Sequence, residues 1–381
     1  MRSTLVEVDL DAIASNIAAL RAAAAADVIA VVKADAYGHG ALPVARVALE
    51  SGAAMLAVAT IDEGVVLRQS GIAAPILVLL GPNDPDDAQT AVMLRLTCAV
   101  WDLDRAGLLS AAASPQRPAT VHFKVDTGLT RLGAPLDEAS SRLAAIRALP
   151  HLQVEGLFTH YATADSPDDS FAREQLARFA SFVGAVPDRP RWIHAAASAG
   201  TAALGAQEVC NAIRPGLAVY GLAPAAHLAD RVALRPALSW RSAVHRVVDV
   251  PAGTGVSYGH EFRLPRPGRI VTVPVGYGDG LARTARGAPL LVGGQRLPIV
   301  GRVCMDLVML DATDHQVSVG DEVVIIGEQQ GARRTADDLA QDCATISYEV
   351  LTNIRDRVPK RYLRGGRVVA WKTLAGGYSP S

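Results

Sequence analysis

Between residues 28 and 216 the apolar positions of this 381-residue chain fall in short unbroken runs, and helix-like stretches separate them. The runs are VIAVVK, MLAVAT, ILVLLG, LTCAV, TVHFKVD, VEGLFTH, WIHAAAS and CNAIRPG. They are rich in Val, Ile, Leu and small residues without strict alternation, which suits strands buried on both faces of a parallel sheet. Segments such as LDEASSRLAAIRAL and SFAREQLARFASFVG carry helical periodicity and are long enough for right-handed crossovers. Strands alternating with helices in this way predict a (β/α)8 barrel, with a doubly wound open sheet as the competing α/β arrangement. The polar residues separate the two. Lys33, Lys124, Asp126, His160, His194, Ser198 and Arg214 fall at or just beyond the carboxyl ends of different runs, where a barrel gathers its chemistry. An open sheet concentrates function at one switch point, commonly after a glycine-rich first turn, and no GxGxxG follows the first run.

After about residue 230 the texture changes. LSWRSAVHRVVDV, GRIVTVPVG, APLLVGGQRLPIVGRV, DLVMLDAT and DEVVIIGEQ are short, β-branched and punctuated by Gly, Pro or Asp, as a mostly β module requires. Two domains follow, a barrel over residues 1–230 and a mostly β C-terminal domain over 231–381, with no Ser-rich linker between them. The amino-terminal STLVEV can pair with either. Asp9 or Asp11 is placed to cap a helix on which Leu10, Ile13, Ile17 and Leu20 share one face.

Composition narrows the function classes. Half the residues are apolar, aromatics are scarce and the formal net charge is −1, so no electrostatic drive toward nucleic acid or an anionic membrane is present. No apolar stretch reads as a secretory signal or a membrane span, which points to a cytoplasmic protein. Cys98, Cys210, Cys304 and Cys343 are far apart, with neither a CxxC pair nor histidines at zinc spacing, so the expectation is buried thiols, no disulfide framework and no metal.

Within VVKADAYGHG, Lys33 ends an apolar strand, and lysine is seldom fully buried unless paired. It is either a solvated rim lysine with a packed stem or an amine held in a shielded pocket, where its neutral form can make a Schiff base with an aldehyde cofactor. VVKADAYGHG closely resembles the pyridoxal-phosphate attachment segment of bacterial alanine racemases. In the family's order, KVDTGLTRLG, GLFTHYATAD, HAAASAG, RPGLAVYG, VSYGHEF, VGYGDGLAR, GRVCMDLVML and TISYEVL resemble further segments, and the match covers nearly the whole chain.

The resemblance implies roles. Lys33 would carry pyridoxal 5'-phosphate and act as the base on one face of the substrate α-carbon, with Tyr258 as acid or base on the other, because racemisation replaces a proton from the side opposite its removal. An ordinary phenol ionises near ~10, so a tyrosine base needs cationic neighbours or a hydrogen-bond relay, for which His160 and Arg214 are candidates. In the family that tyrosine comes from the other subunit, which implies a homodimer with shared active sites. Arg214 resembles the arginine bonded to the pyridine nitrogen; it keeps its proton, leaving the ring a weaker electron sink than one facing a carboxylate. The amides of Gly216 and Leu217, with the hydroxyls of Ser198, Tyr37 and Tyr348, resemble the phosphate cradle. His160 resembles the histidine stacked on the cofactor ring, and His194 a neighbour of Arg214. Arg131 resembles the arginine contacting the substrate carboxylate, and Lys124 occupies the place of a lysine that many members carry as a carbamate, an anionic partner for Arg131. Met305 resembles the residue that brings its backbone N–H to the substrate carboxylate from the partner. Tyr258 and Tyr348 would form the inner constriction of an entry channel, with Asp165, Tyr277, Arg283, Arg302 and Ile346 further out. Singly, each position also has a plain structural reading, such as a turn tyrosine beside Gly259 or a histidine satisfied in the core.

The implied activity is interconversion of L- and D-alanine, supplying D-alanine for peptidoglycan. Open alternatives are a broader racemase acting on serine or larger amino acids and a decarboxylase of the same fold, which places a carboxylate where this chain has Arg214. A pyridoxal-phosphate carrier built from the barrel alone would lack the β module and Tyr258. One position departs from the family pattern: Thr130 stands where many members have a small or amide residue, and it precedes Arg131 directly.

Overall fold

The computed structural model describes residues 2–380. Its chain divides into two units: one of Ala12–Ala36 and Ala41–Pro236, the other of the residues up to Asp11, Tyr37–Gly40 and everything from Ala237 onward. The first strand, β1 (Leu5–Asp9), belongs to the second unit.

In the first unit, β2 (Asp27–Val31), β3 (Ala53–Val58), β4 (Ile76–Val78), β5 (Thr97–Val100) and β6 (Ala119–Asp126) lie parallel in chain order. A short β7 (Ala134–Pro135) hangs on β6, and the series continues through β8 (Leu152–Phe158), β9 (Trp192–His194) and β10 (Ala212–Ile213). β10 pairs back onto β2, so the sheet closes into an eight-stranded parallel barrel, and the eight apolar runs are its strands. The lack of alternation has its physical basis here. Val28–Ala30, Met55–Ala57, Ile76–Val78 and Cys98–Val100 are fully buried, covered by side chains inside the ring and by helices outside it. Burying each such large aliphatic chain contributes about 1.5–3 kcal/mol. The returning helices Ile61–Gln69, Pro85–Met93 and Leu103–Ala112 start on Thr60, Asp84 and Asp102, whose side chains accept the amide three residues on.

The second unit alternates where the first does not. In β11 (Leu238–Ala243) every second residue is buried, as in a sheet with one face on a core. β1 lies between β11, antiparallel with Leu5 opposite Arg241, and a parallel partner with Val6 opposite Lys360, so STLVEV joins this unit. Asp9 takes the amide of Asp11 at the start of the helix Leu10–Ala24. A three-stranded sheet of β12 (Arg246–Val250), β15 (Gly268–Val273) and β16 (Val308–Asp311) packs on a core of Val256, Leu264, Ile270 and Val300, with the short hairpin strands β13 (Gly255–Val256) and β14 (Phe262–Arg263) alongside. Among the described residues no helix is long and apolar enough to cross a membrane, and all four cysteines are free thiols.

Candidate active site

The chain leaves β2 through Val32 and Lys33 into an unusual turn. Ala34, Asp35 and Ala36 hold φ/ψ of 52/53°, 52/45° and 54/51°, and Tyr37 follows at φ 52°, so four consecutive non-glycine residues are left-handed. Each costs about 1–2 kcal/mol relative to right-handed backbone. The turn is tied along its length: Ala36 donates to Val32 O at 2.9 Å, Ala34 N–H to Glu63 Oε1 at 2.7 Å, and Ala41 N–H to Asp35 Oδ1 at 2.8 Å. Lys33 is half-buried, and its amine makes no hydrogen bond or ion pair among the described residues. Burial first, and the Arg131 cation next, lower its pKa, while Glu63 acts in the opposite sense.

Across the barrel mouth, Arg214 follows β10 and is 3% exposed. Its NH1 donates to Nδ1 of His194; its NH2 donates to the carbonyls of Thr159 at 2.6 Å and Ala195 at 3.0 Å and reaches His160 Nδ1 at 3.3 Å. The guanidinium sits 4.9 Å over the Phe158 ring, on which His194 also stacks with centroids 4.9 Å apart. Among the described residues no carboxylate touches Arg214, and burial pulls its pKa down to about 10. At neutral pH it is still a cation. Burial and this cation hold His160 and His194 well below the ordinary imidazole value, so both are neutral. His160 is therefore a hydrogen-bonding group and not the cationic helper considered for a tyrosine base; Arg214 retains that charge.

Lys124, in β6, is 5% exposed, with its Nζ 5.7 Å above the Phe158 ring and no anionic hydrogen-bond partner among the described residues. Burial, then Arg214 and Arg131, push its pKa down to about 8. Asp126 ends the same strand and turns its carboxylate back to the amides of Gly128 and Leu129, shaping the loop that carries Thr130 and the exposed Arg131. Thr130 has φ 56°, a region costly for a β-branched residue.

Ser198 Oγ accepts from the amides of Gly216 and Ala218, both at 3.1 Å, which leaves its O–H free to donate. The Leu217 amide between them starts a 3-10 turn and has no acceptor among the described residues. The barrel unit thus presents a lysine amine, the Nε–H of Arg214, the Leu217 amide and the Ser198 hydroxyl without acceptors among the described residues. That donor set fits a group with an aldehyde, a ring nitrogen and a phosphate. Asp165, in the same unit, is exposed and bonds to none of the others.

The remaining named residues lie in the second unit. Tyr37 and Tyr348 face each other with ring centroids 6.1 Å apart, and burial raises the Tyr37 pKa. Tyr258 is 70% exposed, and Tyr277, Met305 and Ile346 are exposed as well. The segments of Tyr258, Tyr277 and Met305 are bonded together: Tyr277 N–H to Cys304 O at 3.1 Å, Gly278 N–H to Met305 O at 2.8 Å, and the Ser257 hydroxyl to Arg302 O at 2.7 Å. Arg302 and Arg286 both bond Glu261, and Arg283 adds positive charge beside it.

Three side chains escaped the sequence reading. His122 bonds His194 at 2.8 Å; its position two residues before Lys124 put it on the same strand face, which alternation could have revealed. Glu63 hid inside an ordinary capping signal, Thr-Ile-Asp-Glu. Buried Asp279 accepts from Arg2 and Arg357 and from the Gly276 amide at 2.9 Å, a long-range convergence with no local signature.

Models described as alanine racemase, N-terminal domain, and alanine racemase, C-terminal domain, match residues 8–224 and 237–362. The alanine racemase of Desulfosudis oleivorans is 45% identical, covering 95% of this chain and 97% of the relative, and that of Symbiobacterium thermophilum is 44% identical with coverage of 95% and 97%. A crystal structure of alanine racemase from Bacillus anthracis with bound L-Ala-P superposes with a TM-score of 0.91 at 37% identity, covering 98% of each chain. The enzyme from D-cycloserine-producing Streptomyces lavendulae gives 0.87 at 37% identity, covering 96% of this chain and 98% of that one.

Proposed function

The chain belongs to the alanine racemase family, a family of isomerases, and from that premise we propose that it interconverts L- and D-alanine on pyridoxal 5'-phosphate attached to Lys33. Arg214 carries this reading. A buried guanidinium whose contacts are neutral imidazoles and carbonyls can offer the pyridine nitrogen only a donor, whereas a decarboxylase of the same fold presents a carboxylate there.

Bound pyridoxal phosphate supplies an electron sink that acidifies the α-hydrogen of an attached amino acid. The rest falls to the chain. The Leu217 amide, the Ser198 hydroxyl and the Tyr37 and Tyr348 phenols hold the phosphate, the Gly216 amide orienting the Ser198 hydroxyl by donating to its oxygen, and His160 packs on the ring. Arg131 takes the substrate carboxylate, kept in place by Lys124 once carbon dioxide has converted its amine to a carbamate. Lys33 Nζ moves the proton on one face of the α-carbon. The phenol oxygen of Tyr258 moves it on the other, delivered by a partner subunit together with Met305, in a homodimer with shared sites. The broad exposure of Tyr258, Tyr277, Met305 and Ile346 supports such a partner face. Tyr258 and Tyr348 narrow the entry, with Asp165, Tyr277, Arg283, Arg302 and Ile346 outside them. D-alanine for peptidoglycan is the physiological product that this activity serves.

The test is incubation of the purified protein with pyridoxal phosphate and L-alanine in deuterated water. Loss of optical rotation with α-deuteration of both enantiomers is expected. Persistent optical activity defeats the proposal, and faster turnover of serine moves it to the broader racemase.

A further inference from the structure

The left-handed turn after Lys33 is strained at four successive residues, so its shape has to be imposed by groups outside it. At its first residue that group is Glu63. A capping box uses one carboxylate oxygen, and Glu63 spends Oε2 that way, accepting from Ala59 N–H at 2.7 Å and Thr60 N–H at 3.3 Å, while the Thr60 hydroxyl accepts from Glu63 N–H. Oε1 is surplus to the helix. It crosses to the neighbouring β2 segment and accepts from the Ala34 N–H, one residue past the lysine, at 2.7 Å. This bond lies at the exposed rim, where water competes and a charged acceptor holds better than a neutral one. Among the described residues, Arg131, His160 and Glu63 interact electrostatically with the Lys33 amine, and of these Glu63 carries the carboxylate.

We propose that Glu63 is a positioning residue of the lysine site, its carboxylate joining the helix start at Thr60 to the Ala34 amide and so fixing the turn that aims Lys33. The inference rests on reading Lys33 as the point of cofactor attachment. Glutamine offers one acceptor oxygen where glutamate offers two, so Glu63→Gln cannot serve both the helix and Ala34 at full strength. Thr60→Val weakens the same helix start without touching Ala34 and serves as the control.

The experiment uses wild-type, Glu63→Gln and Thr60→Val protein freed of cofactor by a competing amine. Amide hydrogen exchange of the segment around Ala34 is followed by mass spectrometry, and pyridoxal phosphate is then added and its attachment to Lys33 timed by visible absorbance and borohydride trapping. Glu63→Gln is expected to exchange at Ala34 and to attach cofactor with rates changed by roughly tenfold, faster and slower respectively, the factor one charge-assisted hydrogen bond sustains. Thr60→Val is expected to lower the melting temperature and leave both rates at the wild-type value. Wild-type rates in Glu63→Gln overturn the proposal, as does a Thr60→Val protein slowed equally, because Glu63 would then act only through its helix. Failure of wild-type protein to attach pyridoxal phosphate at Lys33 defeats the underlying reading instead, and Ala34 exchange still decides whether Glu63 holds the turn.

Discussion

Arg214 donates a hydrogen bond to Nδ1 of His194, and because a guanidinium can only donate, that contact fixes where the imidazole protons lie. His194 must carry its proton on Nε2, which points at Nδ1 of His122 2.8 Å away. His122 then carries its own on Nε2, buried and without an acceptor among the described residues. The row Arg214, His194, His122 is directional: one cation at the barrel mouth orients two neutral rings behind it.

Acid should therefore destabilise the protein through these rings. Burial and Arg214 lower the pKa of His122 to about 3, and His160 and His194 shift the same way. The unfolded chain binds protons below ~6.5 that the folded chain refuses, so the His122 contribution is complete above ~6.5 and is lost as pH falls toward about 3. His122 contributes on the order of 1 kcal/mol per pH unit in that window, and His160 and His194 add to the slope in the same direction. Urea unfolding at pH 7 and pH 5 measures it, and His122→Phe should show a shallower slope. Identical slopes would contradict the assignment.

Thr130 gives a prediction of opposite sign. A threonine at φ 56° is strained where asparagine or glycine is not, so Thr130→Asn should raise stability by about 1 kcal/mol in chemical denaturation. A loss of stability would mean that the hydroxyl or methyl repays the strain.

The barrel was legible because its strands are unbroken apolar runs and its polar residues cluster at their carboxyl ends; Lys33, Lys124, His194 and Arg214 were found this way. The left-handed turn was not legible, since Ala-Asp-Ala-Tyr carries no glycine to announce positive φ, and only tertiary bonds such as that to Glu63 select it. The same holds for Asp279, whose partners Arg2 and Arg357 lie at opposite ends of the chain. Local pattern specifies elements, and distant charges meet only after folding.

Lys124 is suited to carbamate formation because carbon dioxide reacts with the neutral amine. With its pKa near 8 instead of the ordinary 10.5, about half of the amine is neutral at pH 8. Protein equilibrated with carbon-13 bicarbonate should show a carbamate signal that Lys124→Arg abolishes. No signal in the wild-type protein rules the modification out.

Sharing of sites between subunits is tested by mixing. Lys33→Ala and Tyr258→Ala proteins should each be nearly inactive, and unfolding and refolding them together should restore up to about one quarter of wild-type activity, because half the dimers are mixed and each holds one intact site of two. Absence of recovery in verified mixed dimers argues that both groups come from one chain.

The placement of β1 constrains the order in which the molecule can assemble. Its partners begin at Leu238 and Lys360, far along the chain, so β1 must wait for residues made long after it before its sheet can form. The barrel strands, apart from the closing β10–β2 pair, meanwhile pair with neighbours close in sequence and all precede Leu238, so the barrel can close first and the C-terminal unit is the late step of folding. Until then the strand LVEVD is an unpaired edge, and the nascent protein is most exposed to mispairing with another copy during that interval.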